Sequence, residues 1–77
     1  MIQVVDLPPY VQRMYEERVE LKNRIEKAHA FSSDPTYLKL SSIDRTLFEV
    51  QLATMNDYLR LLMKRIERAV GQATQEA

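Results

Sequence analysis

From Val11 onward, apolar side chains return every three or four residues: Val11, Met14, Leu21, Ile25, Ala28 and Phe31, with Arg18 standing in the same seam. That spacing lays them on one face of a helix. The run from Pro9 to Phe31 is then roughly 35 Å long at the helical rise. Pro8-Pro9 opens it, since proline at the first helical position loses no intrahelical bond and presets φ. Ser32-Ser33-Asp34-Pro35 closes it, because serine and aspartate compete with the helical backbone and the residue before proline is pushed out of the α region. Residues 36–40 read as a short connector of about one helical turn, with Tyr37, Leu38 and Leu40 positioned to cap the seam.

Ser41-Ser42-Ile43-Asp44 opens a second helix, Ser41 and Asp44 approximating a capping box with Asp in place of Glu. The spacing predicts that this helix runs to about Ala69, with Gly71 as its first interruption. Its apolar residues are Ile43, Leu47, Phe48, Val50, Leu52, Met55, Tyr58, Leu59, Leu61, Leu62, Met63 and Ile66. They cover far more than one stripe, so a single partner helix hides only part of them and the remainder is expected to face other copies of the chain. Before the first helix, Ile2, Val4 and Val5 stand among polar residues, either as a frayed end or as an extended arm on a neighbouring subunit.

The expected fold is therefore all-α: an antiparallel two-helix hairpin with a short connecting turn, assembling as an oligomer. Residues 1–8 form an N-terminal arm, 9–69 the helical hairpin domain and 70–77 a disordered tail. Length sharpens the oligomer expectation. A chain of 77 residues with two helices buries one seam, and scaffolds of this size need a staple. It has no cysteine and one histidine, so disulfides are excluded and a structural zinc site is disfavoured. Assembly is the staple that remains.

Lys+Arg and Asp+Glu both number 11, and the formal charge is zero. That argues against a general nucleic-acid binder, whose affinity comes from neutralising phosphates. No stretch approaches the ~20 apolar residues of a membrane span, and the N-terminus lacks the basic start and apolar run of a signal peptide. The cytoplasm is the default location. No Ser/His/Asp or Cys/His set, glycine-rich phosphate loop or metal-ligand spacing is present, so no catalytic residues, cofactor or metal are expected.

Fewer residues hold binding chemistry. Arg60, Lys64 and Arg68 lie four apart on one ridge of the second helix, with Arg65 adjacent. Repeated like charges at this spacing cost helix stability. They read either as cations favoured by a helix C-terminus or as an anion site built on bidentate guanidinium groups. Tyr10, Tyr15, Tyr37 and Tyr58 read as core or interface, or as faces that stack a nucleobase beside arginine. Arg18 and Gln51 either reach water or face a polar pocket between subunits. His29 reads either as a cation favoured by the end of the first helix or as a ligand contact. In an antiparallel hairpin the start of the first helix lies beside the end of the second, which brings Tyr10 and Arg13 near Arg65 and Arg68. One protomer offers only a shallow edge there, and a second is expected to close it.

The stretch LPPYVQRMYEERVELKNRIEKAHAF, followed by a short loop and QLATMNDYLRLLMKRIERA, resembles a family of small phage proteins: the hairpin domain shared by anti-CBASS and anti-Thoeris proteins. The resemblance covers about Leu7 to Arg68. The positions that carry it are Pro9-Tyr10, Gln12-Arg13, Glu17, Leu21, Lys27, Phe31, Gln51-Leu52, Met55, Tyr58 and Arg65-Ile66. It implies a sponge that binds a cyclic nucleotide immune signal, of cyclic oligonucleotide or cyclic ADP-ribose type, without cleaving it. It also implies a homo-oligomer, hexamers included, in the cytoplasm of the host bacterial cell. Members use a tyrosine near the start of the first long helix and a lysine about four turns later, for which Tyr10 and Lys27 are the nearest counterparts. A register that superposes Asn23 and Ile25 instead puts Glu26 at the lysine's position. Members also use arginines in the last helix, here Arg65 and Arg68. The expected ligand-binding set is Tyr10, Arg13, Lys27, Tyr58, Arg65 and Arg68. The other reading of the same chain is an adaptor hairpin that only mediates assembly.

Overall fold

The computed structural model describes residues 6–75 and contains three helices: α1 Pro9–Ser32, α2 Pro35–Leu38 and α3 Ser42–Gln75. Pro9 occupies the first turn of α1. The Pro8 carbonyl accepts from the backbone N–H groups of Val11 and Gln12 at 2.9 and 3.1 Å. The side-chain amide of Gln12 donates to the Leu7 carbonyl at 2.7 Å, folding the preceding residues back so that the Leu7 side chain is buried. At the other end Asp34 caps α2, its Oδ1 accepting from Thr36 N at 2.8 Å. The expected capping box is half formed, with Ser41 Oγ accepting from Asp44 N at 3.1 Å.

α1 and α3 pack antiparallel. Tyr10 meets Arg65 and Arg68 at one end, Glu17 meets Tyr58 midway, and Phe31 meets Phe48 by the turn. The core is a single seam. Leu7, Val11, Met14, Leu21 and Ile25 pack against Leu62, Ile66 and Ala69, with Leu52, Met55 and Leu59 along its edge. Val11 and Leu62 are fully covered. Complete burial of one such side chain is worth about 1.5–3 kcal/mol. The result is a rod of 54 × 16 × 16 Å, as long as the 34 residues of α3 require at the helical rise.

Four points of local structure bear on these expectations. α3 does not stop at Ala69 but continues through Gly71 to Gln75, so residues 70–75 are helical rather than a disordered tail. The cause is packing: Val70 and Ala73 lie against the core cluster, and that contact outweighs the roughly 1 kcal/mol that a mid-helix glycine costs. Arg18 leaves the seam and stacks over the Tyr15 ring, 5.3 Å from its centroid. Gln51 is exposed. Of the three residues expected to cap the seam, Tyr37 is buried, Leu40 half-buried and Leu38 turned to solvent. Tyr37 joins Phe31 and Phe48 in a cluster of three edge-to-face pairs with centroids 5.4–5.8 Å apart. That geometry sets the positive ring edge against the negative ring face. The arm proposed for residues 1–8 lies largely outside the described residues.

Much of the apolar surface of α3 is uncovered, as the breadth of its pattern predicts. Ile43, Leu47, Val50, Leu61 and Met63 are all exposed.

Candidate functional site

The antiparallel register brings Tyr10 from the first turn of α1 beside Arg65 and Arg68 from α3. With Met14, Ala69 and Gln72 they line an open hollow of about 200 Å³ at the end of the hairpin. Its floor comes from the core: Met14 and Ala69 are buried. Its rim is aromatic and cationic. Tyr10 is half exposed, and the two guanidinium groups stand three residues apart on one side of α3. Arginine suits this place because its charge survives partial burial and its donors pair with two oxygens at once.

The Tyr58 hydroxyl donates to Glu17 Oε1 in a bond that ties α3 to α1. That bond raises the Tyr58 phenol above its ordinary range, chiefly because the hydrogen-bonded carboxylate favours the protonated form, while the positive charge of Arg65 pulls it back. Arg65 therefore links the two ends of this face. It lines the hollow, and its field reaches Tyr58.

Of the six residues expected to bind ligand, three share the hollow: Tyr10, Arg65 and Arg68. Tyr58 bonds to Glu17 and does not line the hollow. Arg13 is exposed on α1 and does not line the hollow, and Lys27 is exposed near the turn. Seventeen residues separate Tyr10 from Lys27 on a continuous helix, which is roughly 25 Å. Among the other cations of the ridge, Arg60 pairs with Asp57 one turn earlier on the same helix. Glu17 was not a candidate. A cross-helix partner becomes visible only once the register of the two helices is known, and the sequence carries no local signal for it.

A second and larger concavity lies between the helices, about 330 Å³ in volume, lined by Arg18, Val19, Lys22, Asn23, Leu59 and Met63. It includes Arg18, for which a polar pocket was one of two readings. Here the pocket walls come from one chain.

The described residues thus form a helical hairpin scaffold with a basic, tyrosine-edged hollow at its open end, and no described helix is long and apolar enough to cross a membrane. The family model Sequestin matches residues 8–68, and the chain belongs to that family. Sequestins are the phage immune-signal sponges, the family that the anti-CBASS and anti-Thoeris resemblance pointed to. They sequester a signal and are binding proteins rather than enzymes. No curated protein and no solved structure matches the chain significantly.

Proposed function

We propose that this protein captures a cyclic nucleotide immune signal, of cyclic oligonucleotide or cyclic ADP-ribose type, and holds it intact in the host cytoplasm. The carrying observation is the meeting of Tyr10 with Arg65 and Arg68 in one hollow. A cyclic nucleotide presents phosphate charge and flat bases together. Fixed guanidinium groups answer the first and an exposed phenol ring the second.

The site is completed by a second copy of the chain. A hollow of about 200 Å³ is smaller than the roughly 300–1,000 Å³ of sites that enclose a ligand. The distance from Tyr10 to Lys27 also prevents one protomer from offering both to the same molecule. In an oligomer, with a hexamer among the candidate states, Lys27 of one copy approaches Tyr10 of another. The uncovered residues of α3 supply an apolar surface for that contact.

Calorimetry with cyclic di- and trinucleotides and cyclic ADP-ribose isomers, beside size-exclusion profiles, tests this. Arg65→Ala is expected to weaken binding about ten- to hundredfold, since charge-assisted hydrogen bonds contribute about 1.5–3 kcal/mol each, and to leave assembly intact. Ligand released by heat should be chemically unchanged. Unaltered affinity in Arg65→Ala refutes the site, and lost assembly favours the adaptor reading.

A further inference from the structure

We propose that two copies of this chain pair antiparallel at their turn ends, α3 against α3, with Leu47 of each copy packed against Val50 of the other. This pairing presupposes that the chain assembles, and it is independent of which ligand the hollow takes.

The surface is a stripe with coiled-coil spacing. Ile43, Leu47, Val50 and Thr54 stand four, three and four residues apart on α3, the alternation that keeps one seam facing a partner helix. All four are exposed, and the residues with which α3 meets α1 at this level, Leu52 and Met55, belong to a different face. Thr54 brings no unmet donor into the seam, because its hydroxyl already donates to the Val50 carbonyl at 2.8 Å. Ile43 and Leu47, with Ser42 and Thr46, border a hollow of about 210 Å³. A side chain from a facing helix fills a hole of this kind.

Charge then chooses the direction. In a parallel pair each residue meets its own copy, so Asp57, the next position of the stripe, would set two carboxylates against each other, which is costly. With the helices antiparallel and Leu47 level with Val50 of the other copy, Ile43 lies level with Thr54 and Asp44 beside Gln51, each pair occurring twice by symmetry. The Gln51 amide can donate to the Asp44 carboxylate. On the other flank Thr46 meets Ala53, which is small enough for close approach. Asp57 now falls beside the start of the other α3, where free backbone N–H groups favour a negative charge. Arg65 and Arg68 lie beyond the overlap, so both hollows stay open at the far ends of the pair. Leu61 and Met63, also exposed, lie outside it and remain for the contact that completes the hollow.

The chain has no cysteine, so introduced ones report on one contact at a time. Leu47→Cys and Val50→Cys proteins, mixed under mild oxidation, are expected to form disulfide-linked dimers faster than either protein alone, since only the mixed pair is level and within disulfide reach. Leu47→Glu, established as folded by its melting curve, should raise the dissociation constant of the assembly in sedimentation equilibrium by about hundredfold or more, because the contact then buries unpaired carboxylates. If Leu47→Cys links to itself as fast as the mixture links, the antiparallel register falls. If Leu47→Glu assembles like wild type, the seam falls and assembly through another surface stands. A wild-type chain that sediments as a monomer at every concentration overturns both.

Discussion

At the open end of the hairpin Val11 and Leu62 are fully covered, and Leu7, Met14, Ile66 and Ala69 close around them. At the turn end Ile43, Leu47 and Val50 project from α3 with 71%, 62% and 58% of their surface exposed. Both ends are comparably apolar in sequence, so hydrophobicity does not explain the contrast. The number of covering elements does. The open end gains a further cover from Leu7, whose carbonyl accepts from the Gln12 side-chain amide. The turn end has only α2, four residues long, and closes through three aromatic rings instead of a layered core. A binding site needs fixed side chains, and Tyr10, Arg65 and Arg68 stand on the better-packed end. The turn end is left with the surface that another subunit can cover.

Paired truncations would break this comparison most directly. Leu62→Ala is expected to cost about 2–5 kcal/mol, the usual range for emptying a core leucine site. Leu47→Ala on the exposed stripe should stay within about 0.5 kcal/mol in the isolated protomer and cost more as copies assemble over it. Urea denaturation midpoints with unchanged slopes measure both. A Leu47→Ala cost above about 1 kcal/mol that grows with protein concentration would place that stripe inside a subunit interface.

A smaller effect of opposite sign is expected at Gly71. A methyl group added there meets nothing within 4 Å, and the residue has no positive φ that would require glycine. Gly71→Ala should therefore stabilise the protein by about 0.5–1 kcal/mol through helix propensity and reduced freedom of the unfolded chain. Destabilisation on thermal melting would mean that the last turn of α3 is not helical in solution.

Gly71 also marks where the sequence was legible and where it was not. The two long helices, their seam and the meeting of Tyr10 with Arg65 and Arg68 all followed from residue spacing and the antiparallel rule, because they depend on period and chain direction alone. The end of α3 did not follow. Whether a glycine stops a helix depends on what Val70 and Ala73 pack against, and that surface is the core cluster, to which α1 and Leu7 contribute from the far end of the chain. The pairing of Glu17 with Tyr58 failed to appear for a related reason: it depends on the register between helices, which a shift of a single residue would alter. Arg18 was ambiguous because one position fits both a seam and its edge. The aromatic ring of Tyr15 decides it.

The finest expected contrast is between two phenols, one at each station of the rod. Tyr37 and Tyr58 both titrate above the ordinary phenol, but for different leading reasons. For Tyr37 the first cause is its desolvation in the aromatic cluster, followed by the hydroxyl's hydrogen bond to Glu49, 2.9 Å long. For Tyr58 the first cause is the hydrogen bond to Glu17, with desolvation second. Removing the carboxylate charge should therefore act unequally. Glu17→Gln is expected to return most of the Tyr58 shift, whereas Glu49→Gln leaves the desolvation of Tyr37 in place and returns less. Phenolate absorbance titrations, with Tyr37→Phe and Tyr58→Phe to assign each component, measure this. The sign for stability follows from linkage. A folded-state value raised above the unfolded phenol, near 10, means the native state holds the proton more tightly. Its contribution is complete below the unfolded value and is lost as pH rises through the folded one. Stability limited by these groups should hold up to about pH 10 and decline above it, by a smaller amount in Glu17→Gln than in wild type. A Tyr58 component that titrates unchanged in Glu17→Gln would show that the bond between the helices does not persist in solution.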